Sequence, residues 1–195
     1  MLNYRQDTVM THVFPGLLGG ILLMWVCAAS STPLPPLPQD CLVTGAQNRI
    51  DFGTRTRSGL IINSRGKLTP GQRNINISVV CRYPQNMIMS IAGNATGRQF
   101  AWGAGAAVRI KIQDTRLDSK PVLLNRLEGN YHSLSDGVTE LSLNPGDYFT
   151  VSNGGGEVTG KQLTFTLTAE PEIDESRVTF NRPYNGQSLL TLRLE

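Results

Sequence analysis

The stretch Asn74-Ile75-Asn76-Ile77-Ser78-Val79-Val80-Cys81 decides the fold. Ile75, Ile77, Val79 and Cys81 fall on one side, and Asn74, Asn76 and Ser78 on the other. Period two is what a strand with one buried face requires. The same pattern recurs in both directions along the chain. Upstream, Ile50 and Phe52 flank Asp51 before Gly53, and Leu68-Thr69-Pro70-Gly71 signals a turn. Downstream, Met87, Met89 and Ile91 alternate, as do Val108, Ile110 and Ile112 against Arg109, Lys111 and Gln113. Leu141 and Leu143 precede the turn Asn144-Pro145-Gly146-Asp147, and Phe149 and Val151 precede Gly154-Gly155-Gly156. Leu163, Phe165 and Leu167 alternate with threonines, Val178 and Phe180 make a shorter run, and Leu190, Leu192 and Leu194 close the sequence. No long window has helical periodicity, and residues 121–128, PVLLNRLE, have room for a helical turn at most. Residues 93–106 read as a long glycine-rich loop. Many short strands with Gly, Pro and Asn turns predict an all-β domain of two sheets, each burying one face.

The N-terminal region sets the expected compartment. Polar residues with Arg5 lead into the apolar run Val13–Ala29, which Pro15 and three glycines interrupt. Small residues follow it, so residues 1–29 read as a signal peptide cut after Ala29. The alternatives are an uncleaved N-terminal anchor and a lipoprotein. Met24-Trp25-Val26 ahead of Cys27 lacks the small residue that lipidation calls for. Residues 30–40, SSTPLPPLPQD, form a proline-rich leader, which excludes a helix and favours an extended segment. Residues 41–195 then make one domain of ordinary size, with no membrane span after processing.

Of the three cysteines, Cys27 leaves with the signal. Cys41 and Cys81 remain, and an oxidising compartment favours their pairing over two buried free thiols. Such a bridge contributes about 4 kcal/mol in the loop-entropy model for a loop of about 40 residues. Metal binding is not expected, because His132 is the only other soft ligand after processing. The net charge of +3 is scattered without a basic run, which argues against a nucleic-acid partner.

Catalytic chemistry is not expected either. The sequence holds no G-x-S-x-G elbow, no H-E-x-x-H and no phosphate-binding glycine loop ahead of a helix. No cofactor is implied. The run Glu170-Pro171-Glu172-Ile173-Asp174-Glu175 reads as a solvated acidic loop after a strand, with weak cation binding as the alternative. Trp102, between Ala101 and Gly103, and Tyr131 are candidate contacts for a sugar or receptor. The competing role for Trp102 is to plug one end of the domain.

In order and spacing, these features resemble the subunits of chaperone–usher fimbriae. The residues that carry the likeness are the signal segment, Cys41, Ile50-Asp51-Phe52-Gly53, Leu68-Thr69-Pro70-Gly71, the strand ending in Cys81, and Ala107–Asp114. It covers about residues 41–195. The resemblance implies an immunoglobulin-like (pilin-type) sandwich that lacks its last strand and is completed by a donor strand. A periplasmic chaperone would supply that strand first, and a neighbouring fimbrial subunit would replace it at the outer-membrane usher. Export would run through the periplasm to the cell surface. Gly186, Leu190, Leu192, Leu194 and Glu195 map onto the family's chaperone and subunit interface, with Leu194 where the family has a tyrosine. The leader lacks backbone donors at Pro33, Pro35, Pro36 and Pro38, so it is expected to donate a strand poorly. That expectation places the chain as a minor or tip subunit in cell adhesion, with a host glycan or receptor as partner. The alternative is a free-standing secreted β-sandwich that binds a carbohydrate or receptor, and a hydrolase on such a scaffold ranks last.

Overall fold

The computed structural model describes residues 40–103, 105–128, 132–133, 136–154, 156–179 and 183–195. The expected signal peptide, all of the leader except Asp40, Tyr131 and Phe180 lie outside the described residues. The described chain is all-β and its sheets are antiparallel. Its strands are β1 (Cys41–Thr44), β2 (Gln47–Arg55), β3 (Ile61–Ile62), β4 (Leu68–Thr69), β5 (Arg73–Asn86) and β6 (Met89–Gly93). Next come β7 (Ala95–Thr96), β8 (Gln99–Trp102), β9 (Ala106–Leu117), β10 (Lys120–Pro121) and β11 (Leu123–Glu128). The last are β12 (His132–Ser133), β13 (Leu141–Leu143), β14 (Tyr148–Ser152), β15 (Thr159–Glu172) and β16 (Tyr184–Leu194).

One sheet runs β1-β5-β15-β9-β8-β7, with β10 and β13 also on β9. The other runs β12-β11-β14-β6-β16-β2, and β3 and β4 form a small ribbon. The alternation read from the sequence places the core. Ile77, Val79 and Cys81 of β5 are buried, as are Ile110 and Ile112 of β9 and Leu163, Phe165 and Leu167 of β15. From the other sheet, Ile50, Phe52, Ile91, Phe149, Val151, Leu190 and Leu192 join the same cluster. Phe149 meets Phe165 edge to face with centroids 5.8 Å apart, which ties the two sheets together. Burial of each such side chain contributes about 1.5–3 kcal/mol.

Three local expectations are corrected. Residues 123–128 form β11, not a helical turn, because five residues of that strand pair with β14. Tertiary pairing here outweighs the helix propensity of a leucine-rich segment. Within the presumed loop 93–106, β7 and β8 form a hairpin, and β8 pairs with β9 through Phe100, Ala101 and Trp102. Glu170–Glu172 is not loop but the end of β15, in register with Ala107–Arg109 of β9. Among the described residues no helix is long and apolar enough to cross a membrane.

Candidate functional site

The first strand of the domain changes sheets. β1 pairs with β5, whereas β2 pairs with β16 in the other sheet. Gly45 turns the corner at φ +79°, a conformation that strains any residue with a Cβ. Because the chain leaves β16 at this corner, the end of β16 runs on past the start of β2. A cleft of about 590 Å³ opens there, lined by residues 40–43, Ala46, Gln47, Gln85 and residues 191–195.

Hydrogen-bond alternation fixes what the cleft presents. The Arg82 N–H donates to the Asp40 carbonyl at 2.7 Å. The antiparallel register Cys41↔Cys81, Leu42↔Val80 and Val43↔Val79 then directs the N–H and C=O of Cys41 and Val43 away from β5. On the facing wall, the Leu192 N–H donates to the Ala46 carbonyl at 2.7 Å, and the Glu195 N–H to the Ile88 carbonyl at 2.9 Å. Alternation sends the N–H and C=O of Leu194 toward the cleft, with no strand against them among the described residues. Two unpaired strand edges therefore border one cleft, a template for pairing with another chain.

The disulfide Cys41–Cys81 joins the β1 wall to β5 at a Cα separation of 4.0 Å. It lies at a non-hydrogen-bonded pair, where facing side chains come closest. Gln85 Nε2 sits 2.8 Å from Cys41 Sγ. Leu190 and Leu192 are buried, Leu194 is half-buried, and Glu195 is exposed beside its hydrogen-bond partner Ser90. The cleft thus brings together Cys41, Leu192, Leu194 and Glu195 of the anticipated set. Leu190 lies deeper, paired with Asn48 of β2 and Gly93 of β6. Gln85 carried no signal in the sequence.

Gly186 serves another contact. A Cβ on it would fall 2.7 Å from the Trp102 ring, so the indole lies directly on its backbone. Trp102 is 0% exposed. It stacks on Tyr184 with centroids 5.2 Å apart and meets Phe52 edge to face at 5.9 Å. Those contacts leave no ring face open to a ligand, and Trp102 closes the interior between β8 and β16. Burial raises the Tyr184 phenol above its ordinary value, against a smaller opposing effect of Arg177.

The acidic run is neutralised by the segment around β3 and β4. Arg65 pairs with Glu170 at 2.5 Å and also with Glu172, which Arg109 reaches at 3.3 Å. Lys67 pairs with Asp174 at 2.5 Å and Arg57 with Glu175 at 2.7 Å. Leu68 and Ile173 exchange backbone hydrogen bonds of 3.0 and 2.8 Å. Burial pushes the Glu172 carboxyl up, but hydrogen bonds and charge from Arg109 and Arg65 outweigh it and hold the group below the usual range. Among the described residues no group of three His, Cys, Asp or Glu is placed to hold a metal ion. No protein-family model, curated protein or solved structure matches the chain.

Proposed function

We propose that this chain is a structural, non-catalytic subunit of a chaperone–usher fibre, of minor or tip type. In this reading it is exported to the cell surface for adhesion. Its fold is an immunoglobulin-like sandwich that accepts a strand from a periplasmic chaperone and then from a neighbouring subunit. One observation carries the reading: the backbone edges of Cys41, Val43 and Leu194 face each other across one cleft with no partner strand among the described residues. β-strand addition uses such edges, with backbone hydrogen bonds for affinity and side-chain pockets for specificity. The prolines of residues 30–40 support a subunit that accepts a strand but donates poorly. The test is co-purification with its fibre: a stoichiometry far below that of the main subunit is expected, and recovery as the bulk repeat overturns the minor-subunit assignment.

A second reading is favoured by β2, which pairs directly with β16 from Tyr184 to Thr191 and covers that edge over this length with a strand of the chain's own. A domain covered in this way is a free-standing secreted binding module. Expression with and without a co-expressed chaperone separates the two. Dependence of soluble yield on the chaperone supports the fibre subunit, and a stable monomer at full yield without it supports the free-standing module.

A further inference from the structure

A further free edge belongs to β2. It is the last strand of its sheet, paired with β16 and with no other strand among the described residues. The Leu192 N–H donates to the Ala46 carbonyl at 2.7 Å, which fixes the phase of that pairing. In the register Leu190↔Asn48, Leu189↔Arg49 and Ser188↔Ile50, alternation then turns the N–H and C=O of Asn48 and Ile50 toward β16. Those of Gln47, Arg49 and Asp51 point outward, away from the sheet. The free stretch is bounded at both ends. Gly45 turns the chain into the other sheet at φ +79°, and Gly53, at φ +68°, stands where the register with β16 shifts.

The side chains along this edge carry a charge pattern. Ile50 and Phe52 are buried, so Arg49 and Asp51 share the outer face of the strand. Neither forms an ion pair among the described residues. Arg49 donates to the neutral Gln187 side chain, and Asp51 accepts the Gly53 N–H at 2.7 Å through one carboxylate oxygen. Further along the chain, Arg57, Arg65 and Lys67 each have a carboxylate partner. The edge of β2 thus presents one base and one acid, two residues apart, with both charges uncompensated.

We propose that β2 pairs with β2 of a second copy of this chain, antiparallel about a two-fold axis at Ile50. In that register Arg49 of one copy lies opposite Asp51 of the other, and symmetry repeats the pair. Both residues turn their N–H and C=O outward, so each pair also exchanges backbone hydrogen bonds. Opposite charges directly across a strand pair stabilise it, and like charges destabilise it. Sliding one copy by two residues sets Arg49 against Arg49 or Asp51 against Asp51, so the charges select a single register. Charges on an edge strand ordinarily keep other chains away. Charges of one sign would do so here, whereas a base and an acid at this spacing are self-complementary. A strand of another protein would need the same two charges in the same order, which the second copy supplies by symmetry. The edge lies across β2 from β16, and neither Arg49 nor Asp51 lines the β1–β16 cleft.

Sedimentation equilibrium on the full chain, as recovered from expression and at up to about 1 mM, tests the proposal. A reversible monomer–dimer equilibrium is expected. Arg49→Asp or Asp51→Arg alone sets like charges opposite and is expected to weaken the dimer at least about tenfold. Combining the two restores opposite charges and is expected to return the affinity to within about threefold of the wild type. Thermal melting checks that each variant is folded. Amide exchange on the wild-type chain gives a readout that needs no substitution. Protection of the Arg49 and Asp51 amides is expected to rise with protein concentration, and that of the Asn48 and Ile50 amides, already turned to β16, to stay constant. The proposal is overturned by a chain that stays monomeric, by open-ended association, or by exchange at Arg49 and Asp51 that ignores concentration. A dimer that single reversals leave unchanged, or that the combined change fails to restore, likewise overturns it. Each of these failures leaves the strand-accepting reading standing, because neither Arg49 nor Asp51 touches the cleft.

Discussion

A Cβ at position 186 would lie 2.7 Å from the Trp102 indole, closer than such atoms approach. Gly186→Ala must therefore move either the ring or β16. Overpacking of this kind costs about 1–3 kcal/mol, and urea denaturation is expected to show it as a lower midpoint with an unchanged slope. Both residues stood out in the sequence, the glycine by its place ahead of Leu190, Leu192 and Leu194 and the tryptophan as an aromatic in a glycine-rich segment. That they touch was not legible, because the contact crosses more than eighty positions and depends on the β7–β8 hairpin. Glu172 makes a second case at this scale. Its folded carboxyl titrates below its ordinary range, so its stabilisation is present above about pH 4.3 and lost as pH falls through the folded value. Glu172→Gln is expected to flatten the acid limb of a stability–pH profile, and an unchanged acid limb would exclude this role.

At the scale of elements, the disulfide and the sheet-switching strand act together. Among the described residues β1 pairs with β5 alone, and the bridge fixes that pairing at its first residue. Cys81→Ser is expected to cost about 4 kcal/mol in the loop-entropy model. It should also raise amide exchange in residues 41–44 beyond the global loss, since β1 is paired with no other strand among the described residues. Exchange rising only in step with global unfolding would show that β1 is held without the bridge. The central strands were plain in the sequence because each buries one face, and alternation records burial directly. β11 was not, since Leu123-Leu124-Asn125-Arg126-Leu127 has leucines suited to either periodicity and only pairing with β14 decides. The acidic run was misread for a related reason. Charges usually mark solvated loops, but the bases that neutralise Glu170 and Glu172 lie far away in sequence, at Arg65 and Arg109.

For the whole molecule, the question is how much of the last sheet an incoming strand can occupy. β2 already holds β16 from Tyr184 to Thr191, with Ile50 and Phe52 anchored in the core. At the cleft, the free edges among the described residues are those of Cys41 and Val43 on one wall and Leu194 on the other. A strand added in the cleft without rearrangement therefore finds hydrogen-bonding partners over only a few residues. Hydrogen exchange on the free chain and on its complex with a chaperone or neighbouring subunit reads this out. Added protection at residues 41–43 and 192–195, with 47–55 unchanged, is the expected result for a short inserted strand. If protection over 47–55 instead falls on complex formation, the incoming strand has displaced β2, and residues 184–191 belong to the accepting groove as well. Displacement requires exposing Ile50 and Phe52 unless the new strand supplies apolar side chains in their place. A donor that succeeds in this should carry two large apolar residues at alternate positions. Replacing those two by serine is then expected to abolish displacement while leaving binding at the short cleft.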